Sequence, residues 1–395
     1  MATKPFSIIV VGGGIYGVTS ALELRRRGHS VSLFDPGPLP HPNAASTDIT
    51  KVIRMDYGGD ELYMQLMEEA MPGWDAWNRD WPEPLYHETG FVVMESEAMH
   101  PGAFVGDSYA MLQKRGHHPV RLNSRELKRR FPAWAAERYS DGYYNPRAGW
   151  AASGKVVARL VEIARGAGVT LREGEQFKQL IESDARVQGI VTAGGAQHRA
   201  DYVLVAAGAW TPTLLPWLSE VMWATGQPVL HFRPADAALF QPPRFVVWSA
   251  DISRTGWYGF PALPDGTWKI ANHGPGRRVH PDEPRAIAPG DEAKFRAFLR
   301  ETFPAMADAP LVGSRLCLYC DSWDGDFYID HDPERAGLLV AAGDSGHGFK
   351  FAPVLGRIVA DVLERKPNRY AARFGWRARG KLKAEEARYF PQGAL

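Results

Sequence analysis

The chain of 395 residues is longer than one hydrophobic core organises, which predicts two domains. Lys and Arg number 46 against 45 Asp and Glu, so no surplus charge draws nucleic acid or an anionic membrane, and a small-molecule partner is expected. No apolar run is long enough to span a bilayer, the first strand pattern lies too near Met1 for a signal peptide, and the two cysteines, Cys317 and Cys320, make neither a disulfide framework nor a four-thiolate metal site; a cytoplasmic protein without bound metal is expected.

In chain order, an apolar β-branched run over residues 8–11 leads into Gly12-Gly13-Gly14-Ile15-Tyr16-Gly17 and then a helical segment over 18–27. Strand, GxGxxG and helix in immediate succession are a dinucleotide-binding fingerprint. Gly12 permits the tight turn, Gly14 lets backbone approach a pyrophosphate, and Gly17 lets the helix pack on the strand and aim its amides at the anion. A second strand over 31–34 ends in Asp35, placed to accept hydrogen bonds from ribose hydroxyls. The proline-rich stretch 36–42 reads as a loop leaving the first domain.

From 50 to 81 the pattern is helical, with Leu62, Leu66 and Ala70 at helix spacing, and 90–94 reads as a strand. A helix over 154–168, a strand over 169–171 and a strand run over 202–210 return the chain to the nucleotide domain. A strand-rich stretch over 227–318 belongs to the second domain again. The buried-type strand 337–343 is followed by Asp344-Ser345-Gly346-His347-Gly348 and a helix over 353–364, which offers further amides to the cofactor. The basic tail after Pro367 is expected to be solvated. The predicted fold is α/β, with a Rossmann-like nucleotide-binding domain (1–45, 150–225 and 325–395) interleaved with an α+β, mixed-sheet substrate domain (46–149 and 226–324).

A reductase fed by NAD(P)H needs a second dinucleotide fold. Gly274-Pro275-Gly276 follows a strand, but Pro275 and Arg277-Arg278 make it a loop. One flavin reduced directly by substrate fits better. The fingerprint, the segment Asp48-Ile49-Thr50-Lys51-Val52-Ile53-Arg54, Tyr258-Gly259-Phe260-Pro261, Lys269, Cys317-Leu318-Tyr319 and Gly346-His347-Gly348-Phe349-Lys350-Phe351 occur in the order seen in monomeric sarcosine oxidase and its relatives. Those relatives are N-methyltryptophan oxidase, pipecolate oxidase and the fructosyl amino acid oxidases, or amadoriases. The resemblance covers nearly the whole chain.

The resemblance implies a monomeric, FAD-dependent oxidase of a secondary amine bearing a carboxylate. A hydride passes to flavin, the imine hydrolyses, and oxygen is reduced to hydrogen peroxide. Carried over, Arg54 and Lys350 match the cations that hold a substrate carboxylate, Lys269 matches the oxygen-activating lysine, and Tyr258, His273 and Tyr319 match pocket positions. Cys317 matches the cysteine joined to the flavin 8α carbon; on a strand it shares a face with Tyr319 and opposes Cys320. The cofactor-binding set is Gly12, Gly14, Ile15, Tyr16, Gly17, Asp35, Lys51, Gln176, Gly208, Cys317, Gly346, His347, Gly348, Phe349 and Lys350. Lys51 stands where sarcosine oxidase has an arginine and an amadoriase a lysine, whereas His273 matches sarcosine oxidase, so the substituent on the amine nitrogen stays open. Other readings of these residues are a dehydrogenase passing electrons to a carrier, a reductase using Cys317 and Cys320 as a redox disulfide, and a flavin-binding scaffold without turnover.

Overall fold

The computed structural model describes residues 5–391, so the first four and last four residues of the expected flavin domain lie outside it. The β-branched run forms Ser7–Val11, placed inside a six-stranded sheet. Across that sheet the strands are Tyr328–His331, Leu338–Ala342, Tyr202–Val205, Ser7–Val11, Ser30–Asp35 and Thr170–Glu173, parallel except for the first. Both faces are covered, which is why the central strand reads as a continuous apolar run. Ile8 and Val10 join the cluster containing helices Ile15–Arg26, Ser153–Gly166 and Ala352–Leu363. Ile9 and Val11 point the other way, to Phe177, Val187 and Ile190 of a three-stranded sheet. At the first turn Gly12 has φ +102°, and a Cβ on Gly17 would stand 1.8 Å from the Gly12 carbonyl oxygen. Helix and strand can therefore meet there with a glycine and with nothing larger.

The second large sheet is mixed. It runs Arg277–Arg278, Met222–Phe232, Trp268–Asn272, Trp257–Gly259, Val247–Ala250, Phe91–Glu95, Asp141–Asn145 and Val120–Asn123, with Leu311–Ser322 also paired along Met222–Phe232. Trp134, Trp248 and Trp268 are buried on it around Phe303, so several of the 13 tryptophans serve packing. The chain passes repeatedly between the parallel and the mixed sheet, giving the interleaved α/β architecture expected from the sequence.

Three expectations are corrected. The helical pattern over 50–81 begins late: Lys51–Ile53 is a strand paired with Gly149–Ala151, and the helix is Glu61–Asp80, capped by the Asp60 carboxylate accepting from Tyr63 N at 3.2 Å. Val52 and Ile53 are β-branched and find a strand partner from 98 residues further along, which local periodicity cannot register. The strand-rich stretch 227–318 contains the helix Asp291–Thr302, whose buried Phe295, Leu299 and Thr302 lie at helical spacing. The tail after Pro367 is not solvated: Tyr370, Phe374, Glu385, Ala387 and Arg388 are buried, although residues 375–391 contain no helix or strand. No helix among the described residues is long and apolar enough to cross a membrane.

Candidate functional site

A cavity of about 380 Å³ opens at the carboxyl ends of the parallel strands, where a doubly wound sheet places its ligand. Its wall contains Gly12, Gly14, Ile15, Tyr16, Asp35, Lys51, Gln176, Gly208, Cys317, Tyr319, Gly346 and Phe349. Gly17 lies behind the wall, as the packing contact with Gly12 requires. His347, Gly348 and Lys350 are also outside it: the turn that carries them folds inward against Tyr57 and Asp344, so the expected glycine-histidine-glycine lining reduces to Gly346 and Phe349. Trp210 and Ser46, neither singled out from the sequence, complete the wall.

The donors suit a dinucleotide. The helix Ile15–Arg26 starts at Gly14, which has no side chain to cap it, and Ser46 Oγ accepts from its first amide, Ile15 N, at 3.2 Å. Asp35 accepts from Gly13 N at 2.8 Å through one carboxylate oxygen and from Gly37 N at 3.1 Å through the other. Each oxygen keeps a lone pair for a ribose hydroxyl, while burial raises the carboxyl above its ordinary value.

Leu311–Ser322 separates the two thiols. Cys317 and Tyr319 share one face and a cluster with Val229 and Ala271, whereas Cys320 packs among Met222, Tyr328 and Val340 on the other. Both are free and buried, and burial pushes the Cys320 thiol up. Opposite faces of one strand rule out the redox disulfide as a property of this pair.

Three of the expected residues meet in one buried ion cluster. Lys269 Nζ, on strand Trp268–Asn272, donates to Asp48 Oδ2 at 2.6 Å and to the Thr50 carbonyl at 2.7 Å. Lys51 Nζ donates to the same oxygen at 3.2 Å and approaches Cys317 Sγ at 3.9 Å. Burial would raise the Asp48 carboxyl, but Lys269, Lys51 and Arg315 outweigh it and hold the group well below the usual carboxylate range. Lys269 is lowered to about 8, chiefly by burial and with Lys51 adding repulsion, although Asp48 opposes both. Asp48 was visible in the sequence as part of the resembling segment, but its role as the shared counter-ion was not.

A second cluster surrounds Arg54. Its Nη2 donates to Glu385 Oε1 at 2.9 Å, its guanidinium lies 5.0 Å from the Tyr57 ring, and its Nη1 is buried without a partner. His273 Nε2 meets Glu385 Oε2 at 3.1 Å, and Tyr319 OH lies 3.4 Å from His273 Nδ1. Burial lowers His273 below its ordinary value even beside Glu385, so the neutral ring donates from Nε2 and accepts at Nδ1. Tyr258 pairs with Tyr319. Lys350 Nζ donates to Tyr57 OH at 2.9 Å and to the His347 carbonyl at 2.8 Å, and burial together with Arg54 holds it well below the usual lysine range. His347 is lowered to about 3 by burial. Its Nε2 faces the Gly325 carbonyl at 3.0 Å and must donate, so Tyr57 OH donates to its Nδ1 at 3.1 Å. Arg54 and Lys350 thus come together from distant parts of the chain, with Glu385 among them. Nothing in the basic tail distinguishes that glutamate in the sequence.

Removing the shared counter-ion leaves the buried Lys269 ammonium facing the half-buried Lys51 ammonium. Asp48→Asn is expected to cost about 3–5 kcal/mol of stability, read as a lower urea midpoint. An unchanged midpoint would mean that Lys269 and Lys51 are not held by this carboxylate.

The family model for FAD dependent oxidoreductases, DAO, matches residues 7–362. The chain is 27% identical over 365 residues to a monomeric sarcosine oxidase of Bacillus sp. (strain B-0618), covering 90% of this chain and 92% of that one. It is 29% identical over 360 residues to the N-methyl-L-tryptophan oxidase of Salmonella heidelberg (strain SL476), covering 90% and 94%. The fructosamine oxidase of Aspergillus fumigatus (Amadoriase II) superposes with a TM-score of 0.85 at 26% identity, over all of this chain and 95% of that one. A nucleotide cavity built on Gly12, Gly14 and Asp35, within a match spanning nearly the whole fold, places this chain in the family of FAD-dependent oxidoreductases.

Proposed function

We propose that the chain is an oxidase of secondary amines bearing a carboxylate, such as N-alkyl amino acids, cyclic imino acids or fructosyl amino acids. The observation that carries this reading is the half-used guanidinium of Arg54, buried beside Lys350 and the Tyr258, His273 and Tyr319 side chains that adjoin Cys317. The relatives support the amine: sarcosine, N-methyl-L-tryptophan and fructosyl amines are all secondary amines. FAD, when bound, supplies the two-electron acceptor that takes a hydride from the amine carbon and returns the electrons to oxygen. Overall an acyclic amine, water and oxygen give a carbonyl compound, a shorter amine and hydrogen peroxide; a cyclic amine gives one ring-opened amino-carbonyl product and hydrogen peroxide.

The chain's own groups bind and orient. A carboxylate entering beside Arg54 gives the unpartnered Nη1 an acceptor, and Lys350 Nζ on the far side of Tyr57 is a second donor for it. The neutral His273 and the phenols of Tyr258 and Tyr319 wall the space toward Cys317. Lys269, a cation 2% exposed and locked on Asp48, stands where it stabilises the negative charge developing on oxygen as the first electron arrives. Both thiols belong to residues of the cavity wall, and Cys317, on the strand face shared with Tyr319 and with Lys51 Nζ 3.9 Å from its sulfur, is the proposed thioether link to the flavin 8α carbon.

Anaerobic mixing with N-methyl amino acids, pipecolate, proline and fructosyl amino acids is expected to bleach the protein for at least one acid, with peroxide appearing on admission of air. For that acid Arg54→Ala should cost about 2–3 kcal/mol of binding and spare the matching decarboxylated amine; equal loss for both would remove the carboxylate from the reading. Lys269 is charged below about pH 8 and neutral above it, so reoxidation by oxygen should slow as pH rises through that value. Lys269→Met should lower reoxidation about 100-fold and flatten the profile, and stopped-flow traces that keep the rate and its pH dependence would end the assignment. Flavin should stay with the acid-precipitated polypeptide and with Cys320→Ser, but be released from Cys317→Ser.

A further inference from the structure

Glu385 is a buried carboxylate from the C-terminal segment, and it sits on the guanidinium proposed to receive the substrate's own carboxylate. It uses that guanidinium poorly. One oxygen takes Arg54 Nη2 and the other turns to His273, so Nη1 stays buried without a partner. A free carboxylate engaging both amino groups would use the parallel two-bond geometry that Glu385 does not achieve.

The segment that delivers Glu385 has no helix or strand and is held by polar links: Lys383 N to the Trp323 carbonyl at 2.9 Å, Gly59 N to Glu386 Oε2 at 3.1 Å, Tyr389 N to the His273 carbonyl at 3.0 Å, and Arg388 to Asp321 at 2.6 and 2.8 Å and to the Gly274 carbonyl at 3.0 Å. Between them Ala387 is the sole member of the apolar core. Glu386, the next residue, lines a second pocket of about 410 Å³ together with Phe104, whose ring lies 5.8 Å from the Arg54 guanidinium. The wall of that pocket therefore includes a residue in contact with Arg54 and the chain neighbour of Glu385.

We propose that Glu385 is a specificity-determining residue, an internal carboxylate that the acid of the substrate must displace from Arg54, lifting residues 383–389 as it enters. This rests on the reading of Arg54 as the carboxylate receptor. It makes acceptance a competition: a ligand whose carboxylate forms two parallel bonds wins the site, and one without an acid leaves the strap closed.

The test uses the holoenzyme with methoxyacetate, the isostere of N-methylglycine with oxygen for nitrogen, and methoxyacetamide as its uncharged control. In calorimetric titration Glu385→Gln is expected to bind methoxyacetate about tenfold more tightly, because the amide keeps its hydrogen bonds without competing charge, while the control is unchanged. In the unmodified protein saturating methoxyacetate should accelerate tryptic cleavage after Lys383 or Arg388, read by mass spectrometry, and the amide should not. Unchanged or weaker acid binding by a folded Glu385→Gln protein, or protection of the segment by methoxyacetate, would overturn the proposal. If Glu385→Gln does not fold, the proteolysis result decides alone. Methoxyacetate binding that is lost in Arg54→Ala yet indifferent to Glu385→Gln would refute the strap and keep the receptor. Binding indifferent to Arg54→Ala would refute both.

Discussion

One carboxylate holds the working side of this protein together. Asp48 reaches it from the loop that leaves the first domain, and Lys269 and Lys51 arrive from two different sheets to share a single oxygen. Its backbone takes part too, since the Asp48 carbonyl accepts from Gly154 N and Ser153 Oγ at the start of a helix packed on the parallel sheet. A buried and a half-buried ammonium group could not otherwise lie this close. The arrangement places the Lys51 ammonium beside Cys317 and ties three parts of the chain to one point.

What could be read from the sequence was local or carried by type. The glycine fingerprint, Asp35 and the alternation that sets Cys317 against Cys320 depend on turn sterics, strand length and the two-residue period, all visible in a short window. Resemblance extended this to Lys269 and to Arg54 and Lys350, whose meeting in space around Tyr57 no window could show. The failures have a common cause. Lys51–Ile53 is a strand because Gly149–Ala151 pairs with it, and the tail is buried because Asp321, Trp323 and His273 provide partners for it. Each was decided by tertiary partners that override local composition, and a tail of lysines and arginines gives no sign that one glutamate in it will be buried.

The two ion clusters differ in a way that bears on their work. Around Asp48 every polar atom of both lysines that can reach the carboxylate is committed, and the carboxyl is held far from titration. Around Arg54 the charges are fewer than the groups suggest: Lys350, His273 and His347 are all pushed toward their neutral forms, and the anion Glu385 balances the arginine. The first cluster keeps its anion fixed while Lys269 can still titrate, and the second suits an exchange of one anion for another, because replacing Glu385 by a ligand carboxylate conserves charge.

That conservation also explains why a buried arginine is tolerable in an apolar setting at all. Arg54 lies between the rings of Tyr57 and Phe104 and would be expensive there without a counter-ion. A receptor emptied between turnovers would leave it bare. In the proposed exchange an internal carboxylate keeps the site neutral until an acid arrives, and the unpartnered Nη1 leaves the incoming acid a bond that the resident one does not make. The same property that stabilises the resting fold therefore sets the threshold a substrate has to exceed, so affinity for the acid and stability of the closed tail are expected to vary in opposite directions.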